Sequence, residues 1–224
     1  MKIIGHRGAA GLAPENTVKA IKAGIAAGAD AVEFDVRLTK DNLFVLSHDS
    51  TLLRLASSQE RVRNLTLNEI KAFTTLSGEP FVTLDEALEA RESTTAVIEA
   101  KGNAWAQPLA EYLQNHAITN FWVISFNHSE LGAFHAFMPS AKCYALERQN
   151  AFKTILTAHR LGFKGVTFNF WILNPFSYWF AKRYHLEVAI YTVDRPALMR
   201  WFTWFYPRVA ITTNRPDFLS KIKH

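Results

Sequence analysis

The feature that most constrains this chain is an alternation: short runs rich in Val, Ile and Phe are separated by longer helix-compatible segments, the pattern of βα units around a parallel sheet. Candidate strands lie near 2–5, 31–38, 43–47, 95–100, 121–125, 141–146, 164–168, 187–192 and 208–212. Between them, 15–27, 83–91, 104–116, 128–137, 150–160, 174–184 and 195–205 read as helices. Thr83 and Glu86 have capping-box spacing, and Pro196 follows Asp194 where a first turn would begin. Eight strands with one to spare favour a (β/α)₈ TIM barrel over an open doubly wound sheet, and no G-x-G-x-x-G loop supports dinucleotide binding. Residues 49–82 break the alternation and read as a short insertion after the strand ending at His48, positioned to sit over an active site. No linker or composition break interrupts the 224 residues, so one domain is expected over 1–224.

Composition narrows the function classes. With 49% hydrophobic and 20% charged residues, the chain can bury a sizeable core and is not a disordered segment. Its one cysteine, Cys143, excludes an internal disulfide. The few residues before Gly5 leave no room for an apolar leader, and no later stretch is apolar enough to span a bilayer, so a cytoplasmic location is expected. Residues 160–224 hold ten Lys/Arg against three Asp/Glu, a local +7 within a total of +5. Helices 174–184 and 195–205 also carry Phe176, Tyr178, Trp179, Phe180, Trp201, Phe202, Trp204 and Phe205. Peripheral membrane contact through 174–205, aided by Lys182, Arg183, Arg195 and Arg200, and a homodimer contact are both compatible with this. So are the broad apolar faces of outer barrel helices. Nothing resembles a nucleic-acid module, and no nucleic-acid partner is expected.

In Ala31–Leu38 the strand period of two puts Val32, Phe34, Val36 and Leu38 on one face and Glu33, Asp35 and Arg37 on the other. Taken alone, such a strand also fits a half-exposed antiparallel position. In a parallel barrel, charged side chains face inward only near the catalytic mouth, and the pattern recurs with Glu99 and Lys101 in 97–102. Converging carboxylates repel unless neutralised, so Glu33, Asp35 and Glu99 imply a hard divalent cation, Mg²⁺ or Ca²⁺. A salt-bridge network with Arg37 and Lys101 is the alternative. His6 and His48 each close an apolar strand, where two imidazoles flanking a phosphoryl group would take one proton and give another. His116, His128, His135, His159, His185 and His224 are read as structural or surface residues. Arg7 offers a planar fork for phosphate oxygens and Lys101 a compact charge. Gly5 and Gly8 fit either a close ligand approach or a tight turn.

These residues resemble the glycerophosphodiester phosphodiesterase family. Gly5-His6-Arg7-Gly8 with Ala13-Pro14-Glu15-Asn16-Thr17 is similar to its opening signature, and Val32 to Val36, Ser47-His48-Asp49 and Glu99-Ala100-Lys101 follow in the same order. The resemblance implies a (β/α)₈ barrel that hydrolyses glycerophosphodiesters to sn-glycerol 3-phosphate and an alcohol. It gives His6 and His48 as the acid–base pair, Glu33, Asp35 and Glu99 as metal ligands, Arg7 and Lys101 as phosphate contacts, and Glu15 a supporting role. Tyr191, Asp194 and Asn214 depart from the usual Trp, Asn and Asp. Two alternatives are a lysophospholipase D-like enzyme acting at a membrane surface and a non-catalytic barrel that binds phosphate ligands.

Overall fold

A computed structural model describes residues 1–223. Its strands are β1 (Ile3–Gly5), β2 (Ala31–Leu38), β3 (Phe44–Leu46), β4 (Thr95–Ala100), β5 (Phe121–Ser125), β6 (Lys142–Glu147), β7 (Gly165–Asn169), β8 (Glu187–Tyr191) and β9 (Ala210–Thr213). The helices are α1 (Val18–Ala26), α2 (Leu53–Ala56), α3 (Leu67–Lys71), α4 (Leu84–Ala90), α5 (Ala106–Asn115), α6 (His128–Phe137), α7 (Ala151–Arg160), α8 (Pro175–Arg183), α9 (Pro196–Phe205) and α10 (Pro216–Lys223). All strands but β3 are parallel, in the order β1-β9-β8-β7-β6-β5-β4-β2, and β1 pairs with β2 to close the barrel. The expected (β/α)₈ barrel is present.

The spare strand is β3. It runs antiparallel to the end of β2, pairing Val36 with Leu46 and Leu38 with Phe44. His48 is therefore carried back to the mouth by a hairpin and does not cap a parallel barrel strand, which corrects the expectation drawn from the apolar run before it.

Period-two alternation sorts the side chains into two cores. Val32, Phe34, Val36 and Leu38 join the layer between barrel and helices, with Ala96 and Ile98 of β4. Inside the barrel, Ile4, Ala31, Val97, Trp122, Tyr144 and Leu146 pack together, and the Trp122 and Tyr144 rings stack at 4.8 Å. Two residues further along β2 and β4, the inward positions are Glu33 and Glu99, so the charged layer sits above an apolar one.

The insertion has a small core of its own: Val45, Leu52, Val62, Ile70 and Phe81 are buried together. It contains α2 and α3, which the polar, irregular sequence does not announce. Thr66 and Glu69 cap α3, and the expected box of Thr83 and Glu86 caps α4, each with both reciprocal bonds formed. At α9 the cap position is Arg195, ahead of Pro196, and the Asp194 side chain is used elsewhere.

Gly5 and Gly8 serve chain packing. A Cβ on Gly5 would lie 2.0 Å from the Gly8 carbonyl oxygen, and Gly8 has φ +86° with α1 backbone 2.5 Å from where its Cβ would stand. Gly8→Ala meets both a steric and a conformational barrier, so a loss of at least about 3 kcal/mol is expected on chemical denaturation.

Candidate active site

The inward ends of β2 and β4 bring Glu33, Asp35 and Glu99 together: one carboxylate oxygen from each lies within 4.8 Å of the others. All three side chains are buried. Lys101 lies 3.0 Å from Asp35 Oδ1 and donates to Glu99 Oε1. Arg7 Nε stands 3.3 Å from Asp35 Oδ2. Arg37 is not part of this network; its Nε and Nη2 donate to the His48 carbonyl at 3.1 and 2.7 Å and fix that loop.

The two cations do not balance the three acids. Glu33 Oε2 accepts the Arg7 backbone N–H at 2.8 Å, but Glu33 Oε1 is buried with no hydrogen-bond partner. Burial, followed by Asp35 and Glu99, pushes the Glu33 carboxyl well above its ordinary range. Burial and Asp35 likewise raise Glu99 to about 7. Burial acts in the same direction on Asp35, but Lys101, Arg7 and the Asn16 hydrogen bond outweigh it and hold Asp35 low. An orphaned carboxylate oxygen beside two more carboxylates is a donor set that fits a hard divalent cation, and the salt-bridge alternative leaves it unsatisfied.

The first loop is held in a strained shape. Arg7 has φ +50°, a left-handed conformation disfavoured for a non-glycine residue. That turn lets the N–H of Arg7 meet the Glu33 carboxylate and the N–H of Gly8 meet the Glu33 carbonyl at 2.7 Å. Asn16 clamps Asp35 twice, accepting its backbone N–H at 3.0 Å and donating to Oδ2 at 2.9 Å. Glu15 accepts from Arg7 at 2.9 Å and from Arg54 of the insertion at 2.7 Å.

Two imidazoles border the carboxylates. His6 Nε2 is 3.9 Å from Glu33 Oε2, and its Nδ1 is 2.8 Å from Asn214 Oδ1. The Asn214 amide is oriented by Asp194, which accepts its Nδ2–H at 2.7 Å and its backbone N–H at 2.8 Å. Oδ1 therefore faces His6, Nδ1 must carry the proton, and the Nε2 lone pair is left for the site. His48 Nδ1 faces a carboxylate instead, Asp49 Oδ1 at 2.7 Å. Burial and the neighbouring Arg7 hold His6 below the ordinary imidazole range. For His48, burial and Lys101 do the same, opposed by Asp35 and Asp49.

His48, Glu99, Lys101, Arg37, Phe126 and Arg148 line an open cavity of about 610 Å³ at the mouth. Every residue expected at the site is thus in one place, with Glu15 one contact removed. Asn16, Asp49 and the Asp194–Asn214 pair are site partners that the residue pattern does not assign, and Arg37, considered for a salt-bridge network with Lys101, holds the His48 carbonyl instead. The other histidines lie elsewhere: His128 Nε2 pairs with the Leu146 carbonyl at 2.8 Å, and His116 stacks on Tyr112. His224 lies outside the described residues.

A closed parallel barrel whose C-terminal mouth gathers carboxylates, imidazoles and cations has the architecture of barrel enzymes. Residues 6–218 match the model of the glycerophosphoryl diester phosphodiesterase family, and the chain belongs to that family. It is 34% identical over 154 residues to a glycerophosphodiester phosphodiesterase of Bacillus altitudinis, covering 62% of this chain and 63% of the relative, under two thirds of its length. A glycerophosphodiester phosphodiesterase of Parabacteroides distasonis superimposes with a TM-score of 0.85 at 25% identity, over 99% of this chain and 95% of that one. A phosphodiesterase of Oleispira antarctica, solved in complex with the product sn-glycerol-3-phosphate, gives 0.88 at 21% identity over 100% and 96%.

Proposed function

We propose that this chain hydrolyses glycerophosphodiesters to sn-glycerol 3-phosphate and an alcohol, with Glu33, Asp35 and Glu99 holding Mg²⁺ or Ca²⁺. The observation that carries the reading is the convergence of those three buried carboxylates beside two imidazoles, in a chain of this family. The product bound by the Oleispira phosphodiesterase supports the substrate class.

A bound divalent cation supplies Lewis-acid polarisation of a phosphoryl oxygen. The chain's own groups supply the rest. Arg7 and Lys101 present positive charge to the phosphate. His6, backed by a neutral amide and kept uncharged, accepts at Nε2 the proton of the substrate's own glycerol hydroxyl as it attacks phosphorus, and water then opens the resulting cyclic ester to glycerol 3-phosphate. His48 is backed by the Asp49 carboxylate, which favours its charged form, as does an arriving diester anion. It gives its proton to the departing alkoxide, so one proton is taken up and one delivered.

A coupled assay for glycerol 3-phosphate tests this with glycerophosphocholine and glycerophosphoethanolamine. Turnover should vanish on chelation and return with Mg²⁺ or Ca²⁺; turnover indifferent to chelation would overturn the assignment. Binding without product after metal supplementation would favour a non-catalytic barrel. A second reading, lysophospholipase D activity, is favoured by the aromatic side chains exposed on α8 and α9. Its check is head-group release from a lysophospholipid. A single catalytic unit and a cytoplasmic location complete the proposal, the latter compatible with the lone, buried thiol of Cys143.

A further inference from the structure

Six large aromatic side chains stand exposed on one flank of the barrel: Trp171 (78%), Phe176 (76%), Trp179 (64%), Trp201 (43%), Trp204 (80%) and Phe205 (53%). Burial of the two helices does not account for them. α8 buries Ser177 and Ala181, and α9 buries Met199 and Phe202, so the barrel-facing stripe is filled by other residues. Four of the six, Trp171, Trp201, Trp204 and Phe205, are linked by ring contacts through Phe170 and the buried Phe202. Trp171 contacts Phe170, Phe170 contacts Phe202, Phe202 contacts Trp201, and Trp201 contacts Phe205, which meets Trp204, with centroid separations from 4.6 to 6.3 Å. Tyr178 joins α8 to this ladder through Tyr206 at 5.1 Å. Apolar surface this extensive on the outside of a barrel marks an interaction site.

Charge selects the occupant. Neither α8 nor α9 contains an acidic residue, and Arg183, Arg195, Arg200 and Arg208 are exposed on and beside them. The nearest acids are engaged: Asp194 by Thr213 and Asn214, and Glu187 by Tyr144 and Lys164. A second copy docked through this flank would set the same arginines against each other across the interface. An anionic bilayer meets both halves of the pattern, with indole rings at headgroup depth and arginines on lipid phosphates.

We propose that the α8–α9 flank docks the protein on an anionic phospholipid surface. The contact is peripheral, since no helix among the described residues is long and apolar enough to cross a membrane. Trp171 and Phe176 follow the C-terminal end of β7, the mouth end of the barrel, whereas Trp204 and Phe205 close α9 just before β9 at the opposite end, so the patch runs along the side of the barrel. The inference does not depend on the phosphodiesterase reading.

The test uses the full chain with phosphatidylcholine vesicles, with and without phosphatidylglycerol, in a flotation assay. Binding should be at least about tenfold stronger to the anionic vesicles, collapse in high salt, and shift tryptophan fluorescence to the blue. Trp171→Ser with Trp204→Ser, and separately Arg195→Glu with Arg200→Glu, should abolish flotation while the far-ultraviolet circular dichroism spectrum and melting temperature stay close to those of the wild type. The unchanged melt shows that the variants are folded. No flotation with anionic vesicles, equal binding to neutral ones, or a dimer in light scattering that the double tryptophan variant dissolves would each overturn the proposal.

Discussion

Alanine at His48 is expected to lower kcat on glycerophosphocholine by roughly 10³-fold with little change in KM, because the proton it delivers matters only as the alkoxide departs. Alanine at His6 should cost a similar amount for the opposite reason, the loss of the group that deprotonates the attacking hydroxyl. The two variants separate on a substrate with an activated leaving group. A nitrophenyl ester of glycerol phosphate expels an anion that needs no proton, so His48→Ala should recover most of its turnover on it while His6→Ala stays impaired. The asymmetry follows from the partners behind each ring, the Asn214 amide for His6 and the Asp49 carboxylate for His48. Equal rescue of both variants, or of neither, would sink the assignment of acid and base. Asn214→Asp adds a finer check. A carboxylate at Nδ1 raises the imidazole pKa, so the acidic limb of the pH–rate profile should move to higher pH.

The carboxylates were the most legible part of this site. Period-two alternation in Ala31–Leu38 is a local property that the parallel barrel preserves, so Glu33 and Asp35 face inward as the residues alone suggest. Glu99 and Lys101 are readable by the same rule in β4 and the residue after it. The direction of β3 is a different matter, since three apolar residues at 44–46 pair equally well either way, and only the short return from Leu38 decides. The small core of the insertion is similarly hidden, because Val45, Leu52, Val62, Ile70 and Phe81 come from several short elements that share no period. Asn214 reads as a departure from a family pattern, yet it is the partner of His6 across 208 residues of sequence. That contact exists only because β9 closes against β1, which no local signal carries. Asp194 shows the same limit: beside Pro196 it looks like a helix cap, and the closed barrel draws it to Asn214 instead.

Glu33→Gln is expected to change stability with opposite signs in the metal-free and metal-loaded protein. Without metal, the substitution removes a carboxylate buried beside Asp35 and Glu99 that has one oxygen unpartnered, so the variant should melt a few degrees higher. With metal, the wild type gains about 2.7 kcal/mol at a concentration a hundredfold above Kd, roughly 5–10 °C for a chain of this size, and the variant should gain little. Wild-type pH dependence follows from the same cluster. A carboxyl whose folded pKa is raised binds protons more tightly in the native state, so its stabilisation is complete below the unfolded value and is lost as pH rises through the folded one. For Glu99 that window runs from 4.5 to about 7, a loss on the order of 3 kcal/mol in the metal-free protein. Glu33, raised first by burial, pushes the same way. Asp35 is held low and loses its contribution only at more acid pH, outside this window. Saturating Mg²⁺ or Ca²⁺ should cancel or reverse the slope, because the deprotonated carboxylates are the ligands and metal affinity rises with pH. Differential scanning fluorimetry from pH 5 to 8, with chelator or with metal, reads both effects. A metal-free melting temperature flat across that range, or a Glu33→Gln variant with the full wild-type metal gain, would mean that the acids are neutralised by Lys101 and Arg7 alone.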